Sequence, residues 1–274
     1  MFAETDAHTL NGPPGLSPGN HPVRRDPGGL RRPAITPRGG WYAYVKGAAG
    51  YLVALLLLVP AGVLILGAII LVKLTSRGPA FYTQTRVGRH GRCFTIYKIR
   101  TMFHNCERLT GPRWASVRDP RVTPVGRFLR WAHIDELPQL WNVLRGEMSL
   151  VGPRPERPEF LPKLVEAIPL YQDRHQLRPG ITGLAQVQLP ADTSLNSVRI
   201  KLAYDLYYVQ RFSLWLDLRI ILATFCGVLG IPFAVSNRLL RLPHGEPVEA
   251  AYEAVAAAAA VGPHLTAYRN GTAH

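Results

Sequence analysis

The chain has 274 residues, 47% of them hydrophobic, which excludes a wholly disordered protein and leaves room for one catalytic domain with appendages. Lysine and arginine total 32 against 18 acidic residues, giving a formal net charge of +14. Because most of these cations are arginines, the charge favours partners that carry phosphate, whether nucleic acid, anionic lipid or a phosphorylated substrate.

The amino-terminal region is predicted to contain an arm followed by a membrane helix. Residues 1–40 are rich in proline and glycine and lack an apolar segment, which predicts a disordered basic arm without a signal peptide. Residues 41–73 are predicted as the membrane helix, because residues 47–72 carry no charge. At ~1.5 Å per residue such a helix is roughly 39 Å long, enough to cross a hydrocarbon core of about 30 Å.

Pro60 lies near the middle of this helix, where it removes one backbone hydrogen bond and predicts a bend. Basic residues flank both ends, so the positive-inside rule is satisfied best when both ends lie in the cytoplasm. A spanning helix stays open as the alternative, because proline is tolerated in ordinary membrane-crossing helices.

Residues 74–235 are predicted to form the catalytic domain. Two β-prone runs, at residues 81–84 and 93–97, flank a pair of glycines and indicate a β-hairpin. Apolar residues at helical spacing predict a helix over residues 134–145, whereas residues 103–125 lack periodicity and predict a loop. The expected fold is therefore mainly α with a small β-hairpin, attached to the membrane.

The carboxy-terminal region contains a second apolar run at residues 214–235. Its early charges favour an interfacial helix over a second membrane crossing. Residues 236–274 are alanine-rich and are predicted as a low-complexity tail without a functional site.

Asp135 and Glu136 begin the predicted helix, with Pro138 in its first turn, where a missing N–H costs little. One interpretation is that Asp135 is only a helix N-cap, since aspartate is among the favoured caps. The other is catalytic, because a carboxylate beside helix N–H groups and arginines stays ionised and can attack phosphorus. Glu136 would then bind Mg²⁺, which uses one or two carboxylates plus substrate phosphates.

Two braced turns present arginines that suit phosphate binding. Arg154 lies between Gly152, Pro153 and Pro155, so a stiff turn presents its guanidinium with little entropy to lose. Arg178 begins a second turn rich in proline and glycine. For any single arginine, a solvated surface position is the usual alternative. Further candidates for binding substrate phosphate are Lys98, Arg100 and Arg130.

Four blocks stand out in order along the chain. They are SRGPAFYTQTRVGRHGRCFTIYKIRTM (76–102), DPRVTPVGRFLRWAHIDELPQLWNVLRGEMSLVGPRPE (119–156), RHQLRPGITGLAQV (174–187) and YDLYYV (204–209). Together they resemble the bacterial sugar transferases known as monotopic phosphoglycosyltransferases, and the resemblance runs from about residue 51 to residue 224.

This resemblance implies a covalent mechanism on a UDP-sugar. Asp135 would attack the sugar-bearing phosphorus, UMP would leave, and polyprenyl phosphate would then take the sugar phosphate from the aspartate. Glu136 would help to bind Mg²⁺ and Arg130 would support the pair and the phosphates. Gly152, Pro153, Arg154 and Pro155 would line the nucleotide site.

The resemblance also implies a place in the cell and a set of partners. The membrane helix would be re-entrant and broken near Pro60, with the catalytic domain on the cytoplasmic face of the bacterial inner membrane. The reaction would initiate exopolysaccharide, O-antigen or glycoconjugate assembly, next to other enzymes of that assembly. A homo-oligomer is compatible with these features.

Two places depart from the family pattern. Trp131 and His133 occupy positions that are more often small or basic in the family, so the approach to the Asp135–Glu136 pair differs in shape here. Residues 188–190 replace a string that carries an arginine in many members. The identity of the sugar therefore does not follow from the resemblance.

Two rival functions are weaker. A basic nucleic-acid binder leaves residues 47–72 unexplained, and no helix-turn-helix, zinc or RRM-like signature accompanies the charge, so no nucleic-acid partner is expected. A catalytically inactive membrane scaffold of a polysaccharide assembly complex is the other alternative, and the intact Asp135–Glu136 pair argues against it.

Overall fold

The computed structural model describes residues 35–38, 40–106, 111, 119–192 and 194–261. Within them the fold is mainly helical, as predicted, and contains two small two-stranded sheets. The helices are α1 (Tyr42–Thr75), α2 (Pro124–Trp131), α3 (Gln139–Leu144), α4 (Leu161–Ala167), α5 (Leu195–Arg211), α6 (Leu214–Val228), α7 (Phe233–Leu240) and α8 (Glu246–Val261). The strands are β1 (Phe81–Val87), β2 (Cys93–Ile99), β3 (Ser149–Val151) and β4 (Gly180–Thr182).

The long helix α1 has 34 residues and is, within the described part of the chain, the one helix long and apolar enough to cross a membrane. Most of its apolar side chains are exposed, an arrangement that suits contact with lipid. The helix continues through Pro60 without interruption, so the predicted break is not seen as a gap in helical structure. A bend at Pro60 and re-entry into the membrane stay predictions.

A stripe of small residues on α1 packs against the catalytic domain. Ala54, Ala61 and Ala68 recur every seven residues and are at most 4% exposed. Ala54 and Ala61 share a hydrophobic cluster with residues of α3 such as Leu140, and Ala68 shares another with Leu129 of α2. Because alanine has only one side-chain carbon, the two helices can approach α1 closely along its length.

The first turns of α1 are tied to the domain through the buried carboxylate of Asp217 on α6. Tyr42 donates a hydrogen bond of 2.7 Å to this carboxylate, and Lys46 forms an ion pair with it. Tyr208 of α5 donates a third hydrogen bond of 2.6 Å. A buried carboxylate needs such partners, so this cluster fixes the start of α1 to α5 and α6.

The last turn of α1 is tied to the domain through Arg100, which follows β2 and is 6% exposed. Its guanidinium donates hydrogen bonds to the carbonyl oxygens of Arg77, at 2.6 Å, and Ser76, at 3.0 Å. The prediction that Arg100 binds substrate phosphate finds no support in these contacts. Its donors instead bind backbone carbonyls just beyond the helix and so hold the chain that leaves α1 against β2.

The segment before α1 also packs on the catalytic domain. Ile35 is 2% exposed and belongs to the main hydrophobic cluster. Its N–H donates a hydrogen bond of 3.1 Å to Asp173, and Gln176 donates to its carbonyl. The predicted disordered arm therefore ends before Ile35; residues 1–34 lie outside the described residues.

The hairpin prediction is confirmed. Strands β1 and β2 pair antiparallel from Phe81 opposite Ile99 to Val87 opposite Cys93, so both strands are longer than their β-prone runs suggested. The parallel pair β3–β4, in contrast, was not predicted, because each strand has only three residues. Such short strands carry little periodic signal.

The carboxy-terminal helices differ from the predicted layout. Helix α6 has 15 residues, about 22 Å at ~1.5 Å per residue, which is too short to cross the membrane. Its exposed face is apolar and includes Trp215, Leu222 and Phe225, which suits the predicted interfacial helix. The boundary predicted at residue 235 falls inside α7, and α8 packs on α5 with Val248 fully buried.

Candidate active site

Asp135 and Glu136 lie in a short 3₁₀ turn, Ile134–Glu136, and not in the first turn of an α-helix. The predicted helix is split, because Pro138 has no N–H to donate to the Ile134 carbonyl, and Leu137 donates to that carbonyl instead. Helix α3 begins only at Gln139. The N-cap interpretation of Asp135 is therefore wrong: it lies inside the 3₁₀ turn, which has no side-chain cap.

Glu136 is the more strongly bound carboxylate of the pair. Its Oε1 atom accepts hydrogen bonds from Lys98 Nζ at 2.5 Å and from Arg154 Nη2 at 3.0 Å. Burial would raise the pKa of Glu136, but the charges of Arg154 and Lys98 outweigh it and lower that pKa well below its usual range. The two cations therefore favour the ionised form of Glu136.

Asp135 is equally buried, at 7% exposure, but its environment is different. Within the described residues, no donor forms a hydrogen bond with its carboxylate. Burial, followed by the neighbouring charge of Glu136, raises the pKa of Asp135 to about 6. In this pair, Glu136 is bound by cations, whereas the oxygens of Asp135 accept no hydrogen bond from the described residues. The raised pKa makes Asp135 the more basic of the two carboxylates.

Arg154 is positioned by its backbone as well as by its guanidinium. Buried Arg174 donates a hydrogen bond of 2.8 Å to the Arg154 carbonyl, and Arg174 is itself paired with Asp205 of α5 at 2.6 Å. Neighbouring Gly152 donates to the Thr182 carbonyl at 2.9 Å. The turn that carries Arg154 is therefore anchored on both β4 and α5.

Three glycines allow the two braced turns to meet backbone to backbone. A Cβ atom on Gly152 would lie 2.5 Å from the Arg178 carbonyl oxygen, and one on Gly180 would lie 2.1 Å from the Gly152 nitrogen. A Cβ on Gly183 would lie 2.2 Å from the Gly152 oxygen. Glycine is required here for close approach, a role that sequence reasoning did not assign to these residues.

Comparison with known proteins assigns the chain to a family. The family profile described as bacterial sugar transferase matches residues 41–230. The chain belongs to the bacterial sugar transferase family. It is therefore a transferase, and the matched range spans α1, the hairpin, the carboxylate pair and both braced turns.

Several curated relatives carry specific names. A UDP-N-acetylgalactosamine-undecaprenyl-phosphate N-acetylgalactosaminephosphotransferase of Aeromonas hydrophila is 44% identical over 188 residues, covering 69% of this chain and 44% of that protein. A UDP-glucose:undecaprenyl-phosphate glucose-1-phosphate transferase of Caulobacter vibrioides is 50% identical over 170 residues, covering 61% and 62%. An exopolysaccharide production protein of Rhizobium leguminosarum is 41% identical over 182 residues, covering 64% and 89%.

The Aeromonas relative is a longer protein, of which this chain covers less than half, and the chain covers less than two thirds of the Caulobacter relative. Their names specify different sugars, N-acetylgalactosamine and glucose. Similarity alone therefore does not select a sugar for this transferase.

The structure brings some predicted site residues of the transferase together and leaves others apart. Lys98 and Arg154 bind Glu136 directly. Arg130 donates a hydrogen bond of 2.8 Å from its Nε to Thr101. The positive charge of Arg130 also lowers the pKa of Asp135 and so opposes the rise that burial causes. Within the described residues, Arg100 and Arg178 form no hydrogen bond with the pair. The Arg178 guanidinium instead lies over Gly47 of α1, where an added Cβ would be 3.3 Å from it.

The prediction that the first braced turn lines the nucleotide site stays a prediction, and the four residues of the turn differ in exposure. Gly152, Pro153 and Pro155 are buried, and only Arg154 is exposed. The three buried residues shape the turn, and Arg154 is the residue that can reach a ligand.

The pairing of Arg174 with Asp205 was not predicted, although both residues lie in the sequence blocks of the family. Each is buried and charged, and burial of a charge requires a partner. Their separation along the chain concealed the pairing, because nothing local in the sequence indicates which carboxylate an arginine will meet.

Asp135 and Glu136 offer carboxylate oxygens of the kind that bind a magnesium ion. Within the described residues, no three His, Cys, Asp or Glu side chains form a metal cluster. Mg²⁺ needs only one or two carboxylates when substrate phosphates complete its coordination. The second oxygen of Glu136 and both oxygens of Asp135 accept no hydrogen bond from the described residues, so oxygen ligands are available.

Proposed function

We propose that this transferase moves sugar-1-phosphate from a UDP-sugar to polyprenyl phosphate and releases UMP, through a covalent intermediate on Asp135. The observation that carries the proposal is the asymmetry of the pair: Glu136 is bound by Lys98 and Arg154, and Asp135 is buried with open oxygens. The names of relatives support the substrates, since they pair a UDP-sugar with undecaprenyl phosphate.

The proposed reaction consists of two displacements at one phosphorus atom. An oxygen of Asp135 attacks the sugar-bearing phosphorus, the pyrophosphate P–O bond breaks, and UMP leaves with the electron pair. A phosphate oxygen of the polyprenyl acceptor then attacks the same phosphorus, and the acyl–phosphate bond breaks. This second step regenerates the Asp135 carboxylate, so the enzyme returns to its starting state.

The cations beside the pair support the developing negative charge. Lys98 and Arg154 lie within hydrogen-bonding distance of Glu136, and Arg130 interacts electrostatically with Asp135. Arg154 is half-exposed, so part of its guanidinium remains available for a phosphate oxygen. Cations fixed before the reaction stabilise charge without reorganisation, which is the usual advantage of such a site.

Mg²⁺ would be bound by Glu136 together with the substrate phosphates. It would supply a Lewis acid that neutralises the charge of the diphosphate. The Asp135 oxygen that attacks phosphorus would remain free of this coordination. Glu136→Gln should then be impaired in a way that high Mg²⁺ concentration partly restores.

The attachments of α1 support a re-entrant topology with both of its ends in the cytoplasm. Ile35 and Lys46 contact the catalytic domain before and at the start of α1, and Ser76 is bound by Arg100 of the same domain after its end. Both ends of α1 therefore lie on one domain. UDP-sugars are cytoplasmic, so the domain would face the cytoplasm at the inner membrane, where the reaction would initiate assembly of a surface glycan.

A single assay tests the proposed function. Detergent-solubilised transferase is incubated with Mg²⁺, polyprenyl phosphate and a panel of UDP-sugars, and UMP is measured. We expect release with at least one donor, and a loss of at least about 1,000-fold in Asp135→Asn, as is common when a nucleophile is removed. Glu166→Gln, an exposed carboxylate on α4, is the matched control and should keep parent activity.

Two outcomes would contradict the proposal. Appreciable UMP release by folded Asp135→Asn would exclude the covalent mechanism. Absence of UMP release from every donor by the folded parent would favour the inactive scaffold instead.

A further inference from the structure

A cavity of about 180 Å³ lies between the segment that precedes α1 and the last turn of α5. Its walls within the described residues are Ile35, Thr36 and Arg38 on one side and Gln210 and Arg211 on the other. Ile35 is buried, whereas Thr36, Arg38 and Arg211 are exposed, so a ligand from outside can reach the polar side chains. Since roughly 10–15 Å³ holds one water molecule, the cavity admits a group as large as a phosphate.

The lining of this cavity carries two positive charges and no negative charge. Arg211 is held in place, because its Nη1 donates a hydrogen bond of 3.2 Å to the Tyr207 hydroxyl and its guanidinium lies 4.9 Å from the centre of the Tyr207 ring. Asp173 accepts a hydrogen bond from the Ile35 N–H but does not line the cavity. Two guanidinium groups without a carboxylate in the lining favour a phosphate, which they bind through paired N–H donors.

The cavity lies beside two elements whose exposed faces suit contact with lipid. Trp41 and Tyr44, at the start of α1, are 67% and 88% exposed, and Trp215, in the first turn of α6, is 66% exposed. Tryptophan and tyrosine are typical of the membrane interface, where the headgroups lie. The ion pair of Lys46 with Asp217 holds the start of α1 against α6. The start of α1 lies at a membrane surface whether the helix spans or re-enters, so the cavity lies at the level of the headgroups.

We propose that this cavity binds the phosphate of an anionic phospholipid, with Arg38 and Arg211 as its cationic partners. A zwitterionic headgroup would bring a positive charge for which the lining offers no carboxylate. The bound lipid links the segment before α1 to α5, and so adds a second attachment beside the Asp217 cluster. This site takes no part in the proposed transfer reaction and does not depend on it.

Substitutions at the two arginines separate charge from geometry. Arg38→Gln and Arg211→Gln remove a charge, whereas Arg38→Lys and Arg211→Lys keep it and lose the planar fork. Arg199→Gln is the control, because Arg199 lies on the same helix as Arg211 and is 50% exposed. The two residues are 12 positions apart, about 18 Å at ~1.5 Å per residue. This separation exceeds the screening length of about 8 Å at physiological salt.

The experiment follows the unfolding temperature of the whole chain in a neutral detergent. The protein is titrated with phosphatidylglycerol, phosphatidylcholine or inorganic phosphate, since a ligand that binds the folded state raises the unfolding temperature with its concentration. We expect phosphatidylglycerol to stabilise the parent at concentrations at which the other two do not.

The variants should differ in their apparent affinity for phosphatidylglycerol. Each glutamine variant should bind it about tenfold more weakly or worse, because one of two charge-assisted partners is lost. Each lysine variant should bind it about threefold more weakly or worse, because the fork is lost. Arg199→Gln should stay within about twofold of the parent, as expected of an exposed charge outside the site.

Five outcomes overturn the proposal. A parent that phosphatidylglycerol does not stabilise has no such site, and equal stabilisation by phosphatidylcholine contradicts a preference for anionic lipid. Equal stabilisation by inorganic phosphate assigns the cavity to a soluble ion. Parent affinity in the glutamine or the lysine variants means that the arginines do not form a site, and an equal loss in Arg199→Gln means that only overall charge matters. If one arginine variant does not fold, the variants of the other arginine decide by the same criteria.

Discussion

Arg154 donates a hydrogen bond of 3.0 Å to Glu136, although the two residues come from separately anchored turns. Glu136 lies in the 3₁₀ turn that Pro138 imposes, and the backbone of Arg154 is bound by Arg174. Each partner is therefore positioned before the hydrogen bond forms. Little conformational entropy remains to be lost when substrate arrives, which is the condition for a preorganised site.

Arg154→Lys should lower kcat/KM for the donor by about 10- to 100-fold, because lysine keeps the charge and loses the planar fork that can bind Glu136 and a phosphate together. Arg145→Lys is the control: Arg145 is similarly exposed, at 52% against 48% of the side chain, and also pairs with a glutamate. UMP release at several donor concentrations measures both. Equal activity of the two variants would reduce Arg154 to an ordinary surface arginine.

The rate of UMP release should depend on pH through Asp135. The nucleophile must be ionised, and its pKa is raised to about 6, mainly by burial. We expect kcat/KM for the donor to rise with pH up to about 6 and to level off above it. Single-turnover release of UMP without acceptor isolates this step from ionisation of the polyprenyl phosphate. A flat profile between pH 5 and 8 would contradict the assignment.

Asp135→Asn should stabilise the fold at neutral pH while it removes activity. The folded pKa of Asp135, about 6, lies above its value in an unfolded chain, so the folded state binds more protons between roughly pH 4 and 6. Stability from this group is present below that window and is lost as pH rises through it. At pH 8 the variant should gain about 1–3 kcal/mol.

Thermal unfolding in detergent at two pH values measures this gain. At pH 4 the parent and Asp135→Asn should unfold at nearly the same temperature, because the carboxyl is then protonated in the folded state. Equal unfolding temperatures at pH 8 as well would mean that burial of the ionised Asp135 carboxylate does not destabilise the folded protein.

The parts of the fold that were predicted from sequence are those with local signals. The hairpin follows from two β-prone runs around glycines, and α1 follows from a long uncharged run. The carboxylate pair was singled out by its position at the start of a predicted helix among arginines, and the resemblance to a family then gave each carboxylate its predicted role. Its local structure was predicted wrongly, since helical spacing of apolar residues does not reveal that Pro138 turns the first part into a 3₁₀ turn.

The parts that were missed depend on contacts between distant segments. Arg100 and Arg154 look alike in sequence as arginines within the family blocks, but one binds carbonyls beyond α1 and the other binds Glu136. Helix α8 was assigned to a tail because its alanines suggested low complexity, whereas Val248 and Tyr252 pack it on the domain. Composition describes a segment by itself and cannot identify the surface that buries it.

Asp217→Asn should destabilise the protein, because the buried carboxylate is the charged partner of Lys46 and also accepts from Tyr208. Removing one charge of a buried pair typically costs about 3–5 kcal/mol. Glu253→Gln is the control, since Glu253 pairs with Arg199 at 3.2 Å on the exposed surface and its loss should cost little. Unfolding temperatures in detergent compare the two, and equal shifts would show that the Asp217 cluster does not anchor α1.

The last prediction concerns topology: α1 should enter the membrane and return to the cytoplasmic face. A helix that spans the bilayer would place its two ends on opposite sides, about 30 Å or more apart across the hydrocarbon core. Here Ile35 is buried in the catalytic domain just before α1, and Arg100 of that domain binds Ser76 just after it. Spanning would require one of these attachments to be broken.

Cysteine labelling in intact cells decides between the two topologies. Thr36→Cys, in a background without Cys93, Cys106 and Cys226, introduces a single thiol at an exposed position next to Ile35. It should resist a membrane-impermeant thiol reagent added outside and react after permeabilisation. Ser194→Cys, exposed on the catalytic domain, is the control for the cytoplasmic side and should behave identically. Labelling of Thr36→Cys but not Ser194→Cys from outside would mean that α1 spans the membrane and that the contacts of Ile35 do not persist in the cell.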